Sequence, residues 1–95
     1  VRLISKRQVR EFVARFPVAQ APLQHWCNAV QVSTWWTPTE LRMAFGSVDF
    51  VGELTVFNVG GNKFRLIAFI DYRRQILYIK HILTHSEYDK EKWKP

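Results

Sequence analysis

The chain of 95 residues has one cysteine, Cys27. That excludes an internal disulfide and any zinc site built on cysteine. A lone thiol fits a reducing compartment, so a cytoplasmic protein is expected. No apolar run approaches the ~20 residues that span a bilayer, and no membrane partner is expected. The opening Val1-Arg2-Leu3-Ile4-Ser5 lacks the apolar stretch of a secretory signal. His25 and His81 have no neighbour at metal-ligand spacing. Gly60-Gly61 alone is too little for a phosphate loop, and no Walker or dinucleotide fingerprint occurs. Neither a metal nor a cofactor is therefore expected. There is no repeat, linker or low-complexity tract, and the length suits one small domain, residues 1–95. Acidic residues are scarce as well. Eight Asp and Glu face 14 Lys and Arg, a net charge of +6. In so short a chain this favours a polyanionic partner such as nucleic acid over simple solubility.

What is present centres on residues 53–88. Three antiparallel strands are expected over roughly 53–59, 63–71 and 75–83, then a short loop or helical tail. Gly60-Gly61-Asn62 tolerates the positive φ of a tight hairpin. Asp71-Tyr72-Arg73-Arg74 is the expected second turn, centred on Tyr72 and Arg73. That centring sets Arg65 opposite Lys80 and Leu66 opposite Ile79. Leu66, Ala68, Ile70, Leu77 and Ile79 then share an oily face with Phe57 and Thr55. Lys63, Arg65, Tyr78 and Lys80 share the other with Asn58 and Val56, and Ile67 and Phe69 lie nearer the turn. Like charges brought together on one end of a sheet destabilise it, which points to an anionic ligand there.

The first half reads as helices that cover the oily face. Residues 2–4 are a candidate strand, and Ser5 a candidate N-cap for a helix from about Lys6 to Phe16. Val9, Phe12, Val13 and Phe16 form one stripe, and Pro17 ends it. A second helix is expected from near Pro22 to about Val32, burying Leu23, Trp26, Cys27 and Val30. Thr37-Pro38-Thr39-Glu40 has the capping-box pattern for a short third helix, stopped at Gly46. Trp35 and Trp36 are read as core or as a partner-binding patch. The tail from Asp89 to Pro95 is expected to form a last turn and fray.

Within this frame several residues carry chemistry. Arg65 suits a bidentate grip on phosphate, with Lys63 and Lys80 adding positive potential. His85, just past a strand end, can donate or accept a proton near neutral pH. Tyr88 can stack on a base or bond a phosphate oxygen. Asn58 can orient a hydroxyl or phosphate. Arg73 and Arg74 at a hairpin tip suit contacts to a polyanion backbone. Each has a plainer alternative: a wet strand face for the cations, a turn cap for His85, edge packing for Tyr88.

Val56-Phe57-Asn58-Val59-Gly60-Gly61-Asn62-Lys63-Phe64-Arg65-Leu66, then Tyr72-Arg73-Arg74-Gln75-Ile76 and Thr84-His85-Ser86-Glu87-Tyr88-Asp89-Lys90, resemble the HigB toxin branch of the RelE superfamily. Arg2-Leu3-Ile4-Ser5, Ala21-Pro22-Leu23 and Trp26 are similar too, so the resemblance spans nearly the whole chain. It implies an α+β, RelE-like microbial ribonuclease fold, with N-terminal helices packed on one face of a small antiparallel sheet. It implies the toxin of a type II toxin–antitoxin pair, a ribosome-dependent mRNA endoribonuclease that stops translation. The partners implied are the ribosome with its mRNA and a HigA-like helix-turn-helix antitoxin, with operator DNA reached only through the antitoxin complex. Within that pattern Arg65 matches a phosphate-binding arginine. His85 stands where RelE has a catalytic arginine, and Tyr88 near a functional tyrosine. Asn58 replaces a catalytic lysine, a departure from RelE. The expected catalytic set is Arg65, His85, Tyr88 and Lys80, with RNA contacts from Asn58, Lys63, Arg73 and Arg74. A non-catalytic RNA- or ribosome-binding module is the competing function.

Overall fold

The computed structural model describes residues 1–94. Pro95, the last residue of the expected fraying tail, lies outside the described residues. Strands β1 (Arg2–Ile4), β2 (Asp49–Val51), β3 (Leu54–Val59), β4 (Phe64–Asp71) and β5 (Ile76–Thr84) form one sheet in the order β1-β5-β4-β3-β2. Only the β1–β5 pair is parallel. Helices α1 (Lys6–Arg15), α2 (Gln20–Gln31) and α3 (Pro38–Ala44) cover one face, and a one-turn helix α4 (His85–Asp89) continues directly from β5. This is the α+β arrangement expected, with helices on one side of a mostly antiparallel sheet.

The core lies between those layers. Phe12 of α1, Leu23, Trp26, Cys27 and Val30 of α2, and Leu41 of α3 meet Phe57, Phe64, Leu66, Ala68, Ile70, Leu77 and Ile79. Trp26 and Phe45 both set their rings edge-on to Phe57, at 5.2 and 5.4 Å. Burial pushes the Cys27 thiol above its ordinary range, which leaves it a poor nucleophile. Trp35 is buried in this core, whereas Trp36 is 57% exposed.

Several local expectations need correction. Ser5 does not cap α1 with its side chain. It sits in the left-handed region at φ 77°, and its carbonyl accepts the Gln8 N–H. The second helix begins at Gln20, earlier than Pro22, because a 3-10 turn over Pro17–Ala19 feeds it. Thr37 does cap α3, accepting the Glu40 N–H at 3.1 Å, but the Glu40 carboxylate takes the Trp36 N–H.

The first hairpin has the expected facing, with Asn58 opposite Arg65. Gly60 and Gly61 both adopt positive φ, and Lys63 N–H closes the turn on the Gly60 carbonyl. The second hairpin does not have the expected register. Asp71 pairs with Ile76, because the Asp71 side chain accepts the Arg74 N–H and Gln75 takes the left-handed position at φ 57°. A bulge then falls at Lys80, between the pairs Ala68–Ile79 and Ile67–His81. Arg65 therefore faces Leu83 rather than Lys80, and Leu66 faces Ile82 rather than Ile79. The bulge leaves Lys80 and His81 both exposed and returns Ile82 to the core. Beside it, where β1 ends, the Gln8 amide of α1 donates to the Ile79 carbonyl at 2.8 Å.

The tail does not fray at Trp93. It folds back across the sheet face opposite the helices, where Trp93 packs with Val56 and Ile67 in a second, smaller cluster that Leu54, Leu83 and Tyr88 border. Leu66→Ala should lower stability by about 2–5 kcal/mol, since the side chain is fully enclosed. Met43→Ala, at a residue 83% exposed, should change it by less than about 0.5 kcal/mol. Urea melts of the two variants check the layer assignment.

Candidate functional site

Arg65 lies on β4, on the face away from the helices, and is only 8% exposed. Its Nη1 donates to the Phe64 carbonyl at 3.2 Å, and its guanidinium carbon sits 5.5 Å from the centre of the Tyr88 ring. Among the described residues it has no carboxylate partner within salt-bridge distance. A guanidinium carries five N–H donors in a planar fork. Here one is committed to a carbonyl and the face is supported by an aromatic ring, so the remainder suits an anion.

Tyr88 and His85 reach this spot because α4 starts where β5 ends. Thr84 closes a capping box: its hydroxyl accepts the Glu87 N–H at 3.1 Å, and the Glu87 carboxylate accepts the Thr84 N–H at 2.9 Å. His85 N–H donates to the Lys63 carbonyl, which ties the helix to the turn before β4. His85 and Tyr88 are three residues apart and so lie on neighbouring positions of one helical turn. The His85 ring is half exposed, and its Nδ1 is 3.0 Å from Asp89 Oδ2. An Nδ1–H donated to that carboxylate leaves Nε2 with the free lone pair, able to accept a proton.

Arg65, Tyr88, His85 and the backbone of Lys63 thus meet at one end of the sheet. Asn58 joins them as the cross-strand partner of Arg65, with its amide 3.5 Å from the Ser47 carbonyl. Lys80 is not in this group. It lines a hollow with Gly52, Glu53, Leu54 and Phe69, and its ammonium lies 5.8 Å from the Tyr78 ring. Arg73 and Arg74 occupy the tip of the β4–β5 hairpin, about 20 Å along the strands from Arg65 at the usual rise per residue. Arg74 is also held locally, 3.9 Å from Asp71.

Two contributors escaped the sequence reading. Asp89 stands four residues after His85, a spacing that places both on one face once the segment is known to be helical. Trp93 stacks on Tyr88 at 5.0 Å with the rings 14° apart, and its Nε1–H donates to the Tyr88 carbonyl at 3.0 Å. Beside this stack a hollow of about 390 Å³ is lined by His81, Leu83, Glu87, Lys90, Lys92 and Trp93. Among the described residues no cluster of His, Cys, Asp and Glu has the arrangement of a metal site, and no helix is long and apolar enough to cross a membrane.

Comparison with known proteins finds relatives along most of the chain. A sequence model of the family described as "HigB_toxin, RelE-like toxic component of a toxin-antitoxin system" matches residues 19–91. A protein of Escherichia coli strain CFT073 named mRNA interferase HigB is 33% identical over 91 residues, covering 93% of this chain and 88% of that protein. One of Shigella flexneri with the same name is 30% identical over 90 residues, covering 92% and 86%.

Folding holds the Glu87 carboxyl below its ordinary range, first through the Thr84 N–H and, against some burial, through Arg15 at 3.6 Å. A depressed carboxyl adds stability that is full above its unfolded pKa and lost as pH falls through the folded value. Between about pH 6 and about pH 3 the melting temperature should therefore fall less steeply in Glu87→Gln than in the parent chain.

Proposed function

Because the chain belongs to the HigB toxin family, we propose that it is the toxin of a type II toxin–antitoxin pair and acts as a ribosome-dependent mRNA endoribonuclease. The contact between the Arg65 guanidinium and the Tyr88 ring, one helical turn from His85, is the observation that carries the reading. The proposed chemistry is transesterification within the RNA strand. The 2′-oxygen loses its proton and bonds to the adjacent phosphorus, and the bond to the 5′-oxygen breaks. The 5′-oxygen takes up a proton, leaving a 2′,3′-cyclic phosphate.

Such a reaction needs alignment, charge stabilisation and proton transfer. Arg65 would grip the non-bridging oxygens, where negative charge grows in the crowded phosphorane. Its lack of a carboxylate partner among the described residues supports this, since none of their anions competes with the substrate. His85 would move a proton through Nε2, with Asp89 holding the ring from the other side. Tyr88 would orient the phosphate or the base. Of the two lysines, Lys63 is favoured for extra positive charge because its own backbone bonds His85, while Lys80 lies by Leu54 and Phe69. Asn58, Arg73 and Arg74 would contact RNA outside the scissile linkage. Binding to a HigA-like helix-turn-helix antitoxin would silence the toxin, and operator DNA would be reached only through that complex. Action on the translating ribosome places the protein in the cytoplasm.

Arg65→Ala and His85→Ala should each lower cleavage of mRNA on translating ribosomes by about 100-fold or more and abolish growth arrest. Their melting transitions should remain cooperative. Undiminished cleavage by both variants would reject the site. A parent chain that binds programmed ribosomes yet cuts nothing would instead identify a non-catalytic binding module.

A further inference from the structure

We propose that Trp93 is a positioning residue for this cleavage: it fixes the Tyr88 ring against Arg65 and so makes the C-terminal tail part of the site. The inference rests on the nuclease reading above. It concerns a residue beyond the 19–91 stretch that the family pattern matches.

Tyr88 belongs to a helix of five residues, too short to be stable by itself. Its N-terminal end is fixed by the Thr84–Glu87 box and by the His85–Lys63 backbone bond. Its other end is closed only locally, by the Glu91 N–H on the Tyr88 carbonyl and by the His85–Asp89 contact, and the chain turns away at Glu91, a non-glycine residue at φ 58°. That turn delivers Trp93 back onto the sheet. There it is 7% exposed among Val56 and Ile67, so its own position is set by the strands. From that seat it makes two contacts to one residue: a near-parallel stack on the Tyr88 ring and the Nε1–H bond to the Tyr88 carbonyl. The first sets the ring plane, and the second sets the backbone that carries it.

The Arg65 guanidinium lies against the same Tyr88 ring. A ring free to rotate would let the guanidinium move too, since among the described residues no carboxylate anchors it. Trp93 thus orients Arg65 at second hand, without touching substrate. A misplacement near 1 Å at a reacting centre costs about 100-fold in rate.

The test is single-turnover cleavage of mRNA on programmed ribosomes, with the full chain, at varied enzyme concentration. Trp93→Leu keeps apolar bulk but offers neither a stack nor an N–H. We expect its maximal rate to fall about 100-fold while the half-saturating enzyme concentration changes less than about threefold, as for loss of alignment rather than binding. Trp93→Phe restores the stack alone and should recover most of the rate. If Trp93→Leu melts non-cooperatively, Trp93→Met takes its place with the same two readings. Parental rates in the leucine or methionine variant, with Arg65→Ala inactive, overturn the inference and leave the nuclease reading intact. A loss shared between half-saturation and melting temperature, and not restored by phenylalanine, assigns Trp93 to packing alone and also overturns it. Parental cleavage by Arg65→Ala removes the nuclease reading and this inference with it.

Discussion

A guanidinium held almost out of solvent, with no carboxylate to answer it among the described residues, is the constraint around which the rest of this protein makes sense. Arg65 loses hydration by being 8% exposed and recovers only a carbonyl bond and an aromatic face. Burying a charge is costly unless it is paired, so an arrangement of this kind is retained where a ligand supplies the missing anion. The surrounding cations increase the cost to the free protein and the attraction for a phosphate alike. Selection for stability alone would pair this charge or replace it with an apolar side chain. The acidic groups nearby are used elsewhere: Glu87 on the Thr84 N–H and Arg15, Asp89 on His85.

The sheet is shaped to present that group. The bulge at Lys80 breaks the alternation of β5, so that Ile79 and Ile82 both enter the helix-side core while Leu83 turns to the other face beside Arg65. With unbroken alternation from Ile79, Leu83 would lie in the core. β5 would then enter α4 with the opposite facing. The bulge and the capping box are therefore linked. One sets the direction in which β5 leaves the sheet, and the other turns that exit into the helix that carries His85 and Tyr88.

Much of this was legible in the residues. Glycines at 60 and 61 marked the first hairpin closely enough to put Asn58 on the face of Arg65, and the apolar stripes of α1 and α2 identified the covered face. The second hairpin was misread by two residues because its special conformation falls on Gln75. That is not a residue type that advertises positive φ, and its side-chain amide is held by the Trp35 and Tyr72 carbonyls. The turn moves the partner of Arg65 by two residues and the bulge by one more, from Lys80 to Leu83, while the face of Arg65 follows from the alternation of β4 itself, with Leu66, Ala68 and Ile70 in the core. The bulge did leave a trace. Two polar residues in succession, Lys80 and His81, separate Ile79 from Ile82, a spacing that strict alternation forbids. Trp93 left almost none, since a tail of alternating charges reads as solvated whatever its one aromatic residue does.

The tail also explains how so small a sheet can be apolar on one side and still present a cationic surface on the other. Val56 and Ile67 project from the middle of the open face, where bare apolar area would favour association between copies. Trp93 covers them, and the charged residues around it, Lys90, Lys92 and Lys94, replace that oily centre with positive surface. One fold-back thus hides hydrophobic area, adds cations around it and stacks on the tyrosine beside Arg65. Removing the tail would expose the apolar patch and loosen the site in one step, so association and loss of site geometry are coupled properties of this face. A substitution that keeps the patch covered separates them, and the seat of Trp93 is where that separation can be made.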